Sequence, residues 1–259
     1  MTIAKPIVYD FDDAFFHRYD QSSNVILRSL LDGKHASLLR SAAACACGNA
    51  YLLDYAKQFC FNSIILPTVV DTAVYLPCSS RRSRQLTIGW IGSPSTWLNV
   101  RPLLPLLGEL VGSHGVRIRV VGAGQSALQD RFPGMELIEW SEANEAADVQ
   151  TMDIGIMPLA DLPFERGKSG YKLIQYMACG LPVVASPVGV NNEIVTVGEN
   201  GFLASGLEEW RSALIRLIED SALRQRLGQA GRERVETHYS LESQTPKLIR
   251  LFEMLGGAN

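Results

Sequence analysis

Lys168, Lys172 and Gln175 stand four and three residues apart in the run GKSGYKLIQYMACG that begins at Gly167. If the run is helical, a repeat of 3.6 residues brings these side chains together on one side and puts Leu173, Ile174, Met177 and Ala178 on the other. The chemistry of such a stripe is anion binding. Two ammonium groups would lie beside the unpaired N–H groups and positive dipole end that a helix starting after Gly167 exposes at Lys168 to Tyr171, with Ser169 in the same turn. A diphosphate matches this charge and spacing, and Glu165 and Arg166 precede it in the loop. The same residues can also be read as an ordinary solvated helix face.

Such a helix must be carried by a sheet edge, and the flanking sequence supplies one. Ile154 to Met157 and Pro182 to Ala185 read as buried parallel strands, whose C-terminal edge is where α/β sheets bind phosphorylated ligands. Further strands are expected at Leu86 to Ile91, Ile118 to Val121, Glu136 to Trp140 and Gly201 to Leu203. Helices are expected at Leu98 to Gly112, Asn144 to Thr151, Lys168 to Cys179, Leu207 to Glu219, Ser221 to His238 and Leu241 to Leu255. This alternation predicts a doubly wound, mostly parallel sheet. Gly92 follows the first of these strands in GSPSTWLN, with Ser93 beside it. Gly122 and Gly124 form half of a dinucleotide fingerprint; the third glycine and its acidic residue are missing, which disfavours a dehydrogenase but leaves the loop at the border of a nucleotide pocket. Nearer the N-terminus, Lys5 to Asp10 and Ser63 to Leu66 read as strands, and Val25 to Arg40 and Ala50 to Phe59 as helices. Pro77 to Gln85 lacks an apolar pattern and reads as a linker, placing a domain boundary near residue 80.

Composition narrows the function class. At 259 residues and 47% hydrophobic content the chain can bury a sizeable core, in one large domain or two small ones. A formal net charge of −3 gives no electrostatic case for nucleic-acid binding. The five cysteines contain no CxxC pair and sit in mostly apolar contexts, which fits reduced buried thiols of a cytoplasmic protein and no metal site. No signal segment is visible and no apolar run approaches the roughly 20 residues needed to span a bilayer, so membrane contact is expected to be peripheral, at the inner face.

The run from Lys168 to Val188, with Gly189 to Val195 and Gly198 to Leu203, resembles the donor-site signature of the retaining group 1 (family 4) glycosyltransferases of the GT-B fold. Matching segments recur in order along most of the chain: YDFDDAF (Tyr9 to Phe15), GNAYLLDYA (Gly48 to Ala56), LPTVVD (Leu66 to Asp71), LTIGWIGSPST (Leu86 to Thr96) and AGRERVETHYS (Ala230 to Ser240). The resemblance implies a nucleotide-diphospho-sugar donor, a glycan or lipid-linked hydroxyl acceptor, a role in surface polysaccharide or glycan synthesis, and no required cofactor. Two departures stand out. The family's paired glutamates are replaced by Gly167 and Gln175; a carboxamide can still hydrogen-bond a ribose hydroxyl, whereas contact with the donor sugar would fall to Glu165, Asp161 or the backbone. The arginine and lysine that many relatives carry after the first strand of this domain are absent from the Gly92 loop, which leaves the diphosphate to Lys168, assisted by Arg166, Lys172 and the helix dipole. Trp140 is placed where relatives hold the base, and Glu193 matches a recurrent acidic position near the donor.

Asp10, Asp12 and Asp13 close the first strand, with His17 soon after, and three readings stay open. By resemblance the segment borders the acceptor-side catalytic region, where Asp12 or Asp10 would position the acceptor hydroxyl or support charge at the anomeric carbon. A DxD pair can instead hold Mg²⁺ or act as a phosphatase nucleophile, and the acids can simply cap a following helix. The expected architecture is α/β and GT-B-like: a partial N-terminal acceptor-side domain over residues 1–80, a complete Rossmann-like nucleotide-sugar domain over 81–240, and a helix over 241–259 returning toward the first. The N-terminal half reads as missing its opening strands, so a missing segment or a partner chain would complete it. The expected function is retaining sugar transfer, with Asp12, Asp10 and Lys168 as catalytic groups; the alternatives are a truncated nucleotide-binding module and a sugar-nucleotide epimerase.

Overall fold

The computed structural model describes residues 5–21, 24–31, 33–77 and 85–256. Its N-terminal part is a three-stranded parallel sheet of β1 (Val8–Phe11), β2 (Ala44–Cys47) and β3 (Ser63–Ile65) in that order. Helices α1 (His17–Asp20), α2 (Val25–Leu31) and α3 (Lys34–Ser41) lead from β1 to β2, and α4 (Ala50–Ala56) leads on to β3. The expected helix over 25–40 is therefore broken into two. Its second part starts after Gly33, which serves as N-cap without a side-chain bond. The strand β2, unexpected from the sequence, is ACAC and buried at every position.

The larger sheet contains β4 (Thr87–Ile91), β5 (Arg117–Val121), β6 (Met135–Ile138), β7 (Ile154–Met157), β8 (Val183–Ala185) and β9 (Gly201–Leu203). All pairs are parallel and the order is β6-β5-β4-β7-β8-β9, so the topology reverses between β4 and β7. Both faces are covered, as parallel sheets require. Alternate side chains serve the two faces: Ile88, Trp90, Ile154, Ile156 and Val184 pack into one core, and Ile91, Met157, Val183 and Ala185 into the other. The first core is closed by α5 (Leu104–His114), and later by α10 (Leu207–Glu219) through Trp210, Leu214 and Leu217. Pro102 and Pro105 mark the entry to α5, where two short 3-10 turns precede the helix that was expected to begin at Leu98. The second core gathers α6 (Glu145–Gln150), α8 (Tyr171–Ala178), α9 (Asn191–Ile194) and α11 (Ser221–His238), while the short α7 (Pro163–Arg166) that leads to α8 packs against α1.

The last helix, α12 (Leu241–Gly256), comes back to the N-terminal half. Val70 N–H donates to the Tyr239 carbonyl at 3.0 Å and Leu241 N–H donates to the Val70 carbonyl at 3.1 Å. The expected linker falls largely on residues 78–84, outside the described residues, as does Cys78. Cys45, Cys47, Cys60 and Cys179 are buried, and burial pushes the Cys45 and Cys47 thiols up to about 12.

Candidate active site

The C-terminal ends of β4, β5 and β7 and the start of α8 enclose a cleft of about 460 Å³, closed from the N-terminal half by Asp12 and Asp13 just beyond β1. Its walls hold Gly92, Ser93, Gly122, Trp140, Lys168, Ser169, Lys172 and Gln175, together with Asp12. Close approach explains the two glycines. A Cβ on Gly92 would sit 2.7 Å from Lys172 Cε, and one on Gly122, whose φ is +81°, would sit 2.2 Å from the Gly92 carbonyl oxygen. The two loops can meet under the lysines only without side chains.

The structure changes the expected stripe on α8. The helix begins at Tyr171 rather than Lys168, after Gly170 in the left-handed region with no side-chain cap. Among the described residues no backbone acceptor takes the Tyr171 or Lys172 N–H, so these amides stand at the positive end of the helix. Leu173 through Ala178 are all buried, Gln175 included, because β7, α6 and α11 pack around α8. Tyr176 fixes this helix to the sheet edge, accepting from Ile91 N–H at 2.9 Å.

Two lysines, Lys168 and Lys172, share the cleft with the carboxylates of Asp12, Asp13 and Glu145. Lys168 Nζ lies 3.8 Å from Asp13 Oδ2 and 4.8 Å from the Phe164 ring centre, and Lys172 Nζ lies 5.7 Å from that of Trp90. Burial first, and then the Lys168 charge, lower the Lys172 ammonium to about 8 against the opposite pull of Asp13. Burial raises the Asp13 carboxyl against the pull of Lys168. Two ammonium groups sharing one nearby carboxylate make a site that a bound anion would relieve.

Opposite the lysines stands a carboxylate that the sequence did not single out. Glu145, the first residue of α6, accepts from Gln175 Nε2 at 2.6 Å and from the Tyr75 hydroxyl through Oε1, and from Trp140 Nε1 at 2.6 Å through Oε2. Gln175 Nε2 also reaches the Tyr75 oxygen at 3.0 Å. Burial holds the Tyr75 phenol protonated, which makes it a donor to Glu145 and an acceptor from Gln175. The carboxamide expected to meet a ligand is thus 2% exposed and committed to Glu145, while Glu145 lines the cleft.

Other expected residues lie elsewhere. Gly167 sits at the contact between the two halves, where a Cβ would approach Ala14 Cβ to 2.4 Å and the Asn49 Nδ2 donates to the Gly167 and Lys168 carbonyls at 3.0 and 3.1 Å. Arg166 pairs with Asp161 at 2.7 Å, and the two line a separate cavity of about 290 Å³ with Glu193; Glu165 stands outside the cleft. Asp10 borders a third cavity, which Asp12 also lines. The helix-cap reading of the acids is corrected: α1 has Phe16 as N-cap with no side-chain bond. His17 is engaged with Asp20 at 2.9 Å and with the Tyr51 hydroxyl at 2.7 Å. Among the described residues no three His, Cys, Asp or Glu side chains converge on a point that could hold a metal ion.

A family model described as glycosyl transferases group 1 matches residues 85–220, more than half of the chain. The chain belongs to the group 1 glycosyl transferases. A D-inositol 3-phosphate glycosyltransferase of Pseudarthrobacter chlorophenolicus is 30% identical to this group 1 chain over 137 residues, 51% of this chain and 30% of the relative. A glycosyltransferase of Methanocaldococcus jannaschii without characterized activity is 30% identical over 94 residues, 36% of this chain and 24% of the relative. The matched segments thus span less than a third of these curated relatives. Among solved structures, sucrose-phosphate synthase from Thermosynechococcus elongatus superposes with a TM-score of 0.78 at 17% identity, over 97% of this chain and 68% of that one. Anabaena HepE in complex with UDP and glucose gives 0.76 at 16%, over 96% and 71%. At such identities the likeness speaks to fold, and the fold of this group 1 glycosyl transferase is α/β and GT-B-like.

Proposed function

We propose that the chain transfers a sugar, with retention, from a nucleotide-diphospho-sugar to a hydroxyl acceptor, in the manner of family 4. The observation that carries this reading is the pairing of Lys168 and Lys172 with the free N-terminal amides of α8 at the point where the sheet topology reverses. As the glycosidic bond breaks, charge builds on the departing diphosphate, and fixed cations and amides aimed at it lower the barrier. These groups supply the neutralisation without a divalent ion. The Glu145 carboxylate, rather than the Gln175 amide, takes the ribose hydroxyls, and the Trp140 indole borders the base. Asp12, which reaches the cleft from the N-terminal half, positions the acceptor hydroxyl. A surface polysaccharide or other glycan is the proposed product, made on the cytoplasmic side. No helix among the described residues is long and apolar enough to cross a membrane.

A second reading is a nucleotide-binding module without transfer, for which the described residues give the donor side the larger sheet, six strands against three. Calorimetric titration with UDP, GDP, ADP and their sugar conjugates, with and without Mg²⁺, tests the donor site. Metal-independent binding of one base is expected, and no binding to any overturns the reading. Proton NMR of the product then reports transfer and its anomeric configuration. Donor turnover without an acceptor would instead indicate hydrolysis or epimerisation.

A further inference from the structure

We propose that the cavity adjoining the cleft at Asp12 holds the acceptor, and that this acceptor has an aliphatic, phosphate-free body with a hydroxyl at its head. The inference rests on the transfer reaction proposed above and names the acceptor class. The cavity measures about 360 Å³ and lies between the end of β1, the segment after β3 and the first two turns of α12, within the size range of small-ligand sites. Leu66, Pro67, Val69, Leu241 and Leu248 supply apolar wall. Aliphatic chain entering it would leave water at little polar cost.

The polar lining sorts ligands by charge. Asp10 and Asp12 stand at the end next to the cleft, neither has an ion pair among the described residues, and no lysine or arginine lines the cavity. Thr68, Gln244 and Thr245 complete the polar wall. Gln244 is 5% exposed; its Nε2 donates to the His238 carbonyl at 2.6 Å and its Oε1 has no hydrogen-bond partner. The two carboxylates welcome O–H donors and repel phosphate. The neighbouring cleft, with Lys168 and Lys172, has the opposite preference. The two cavities thus divide the substrates, with the anionic donor on the lysine side, the neutral amphiphile on the aspartate side, and Asp12 touching both.

Saturation-transfer NMR tests this with n-octyl β-D-glucopyranoside below its micellar concentration and n-octyl phosphate as the charged counterpart. The glucoside is expected to receive saturation along its octyl chain and the phosphate to bind more weakly. Leu248→Glu should weaken the glucoside by about tenfold. Ile249→Glu places the same charge one residue along on an exposed position outside the cavity and should leave binding unchanged. Thr245→Arg, at an exposed lining position, should shift preference toward the phosphate, so the proposal stays testable if Leu248→Glu melts early. Equal transfer to all variants, or tighter binding of octyl phosphate by the unmodified chain, overturns it. Nucleoside diphosphate titrated into the same samples separates the two claims. Nucleotide binding with no octyl glucoside binding refutes the acceptor cavity alone, and the reverse refutes the donor site alone.

Discussion

Lys172 is the side chain through which pH should act on the cleft. Its ammonium is lowered from 10.5 to about 8, by burial first, so between those values the unfolded chain binds the proton more readily than the folded one. Stability should therefore rise as pH goes from about 8 to 10.5, and the cost of holding a buried charge is fully present below 8. Nucleotide affinity should move the other way. A bound diphosphate favours the charged lysine, so the affinity of the preferred nucleoside diphosphate is expected to fall as pH climbs through 8. Lys172→Met should bind more weakly at neutral pH and flatten that decline. Calorimetry at pH 6.5 to 9.5 checks both, and an equally steep decline in the variant would remove Lys172 from the anion site. Glu145→Gln belongs to the same scale. It replaces a carboxylate that accepts from Tyr75, Trp140 and Gln175, and should weaken ribonucleotide binding by about tenfold or more. Binding of the 2′,3′-dideoxy analogue should change little, and equal losses for both nucleotides would count against ribose contact. The lysines were legible in the sequence because they sit on one short local motif. Glu145 was not, since it is joined to Tyr75 and Gln175, which lie 70 and 30 residues away in the chain.

Among the elements, the turn from α7 into α8 is held by contacts from the other half of the chain. The side chain of Asn49 caps α4 by accepting from Leu52 N–H at 3.0 Å and spends its Nδ2 on the Gly167 and Lys168 carbonyls. Gly167 itself has no room for a side chain against Ala14. Gly167→Ala should therefore cost about 1–3 kcal/mol by overpacking, read as a lower melting temperature, and Ala14→Gly should recover part of it. A glutamate at 167 would meet the same obstacle. No loss in Gly167→Ala would mean the two halves sit further apart. The order of strands and helices in the larger sheet could be read from alternation alone. The strand β2 could not, because ACAC is small, apolar and buried throughout, and so has neither the period of two nor the β-branched bulk that marks a strand. The start of α8 was misplaced because local spacing carries no sign of the left-handed turn at Gly170.

At the scale of the whole molecule, the segment 71–77 runs from the N-terminal half to the back of Glu145, which lines the cleft, and is tied down by one buried cation. Arg232 of α11, 9% exposed, donates to the Tyr75 carbonyl, to the Ala178 carbonyl at 2.5 Å and to the Thr72 carbonyl at 2.9 Å, and pairs with Glu236 at 2.6 Å. The guanidinium thereby joins the C-terminal end of α8 to the backbone that carries Tyr75, and Tyr75 in turn holds Glu145. The AGRERVETHYS run was legible in the sequence as a match of pattern, but the carbonyls this arginine reaches lie 54 to 160 residues away and only the fold brings them together. Arg232→Met keeps much of the side chain's apolar stem but leaves three carbonyls without their donor. The expected loss is about 3 kcal/mol or more, visible in thermal unfolding. If the guanidinium acts on the cleft through segment 71–77, the folded variant should also bind nucleoside diphosphate more weakly well below its melting temperature. Glu236→Gln, which alters only the partly exposed ion pair, should leave binding unchanged. A destabilised Arg232→Met with full nucleotide affinity would confine the residue to packing and uncouple the Tyr75 and Glu145 pair from the rest of the fold.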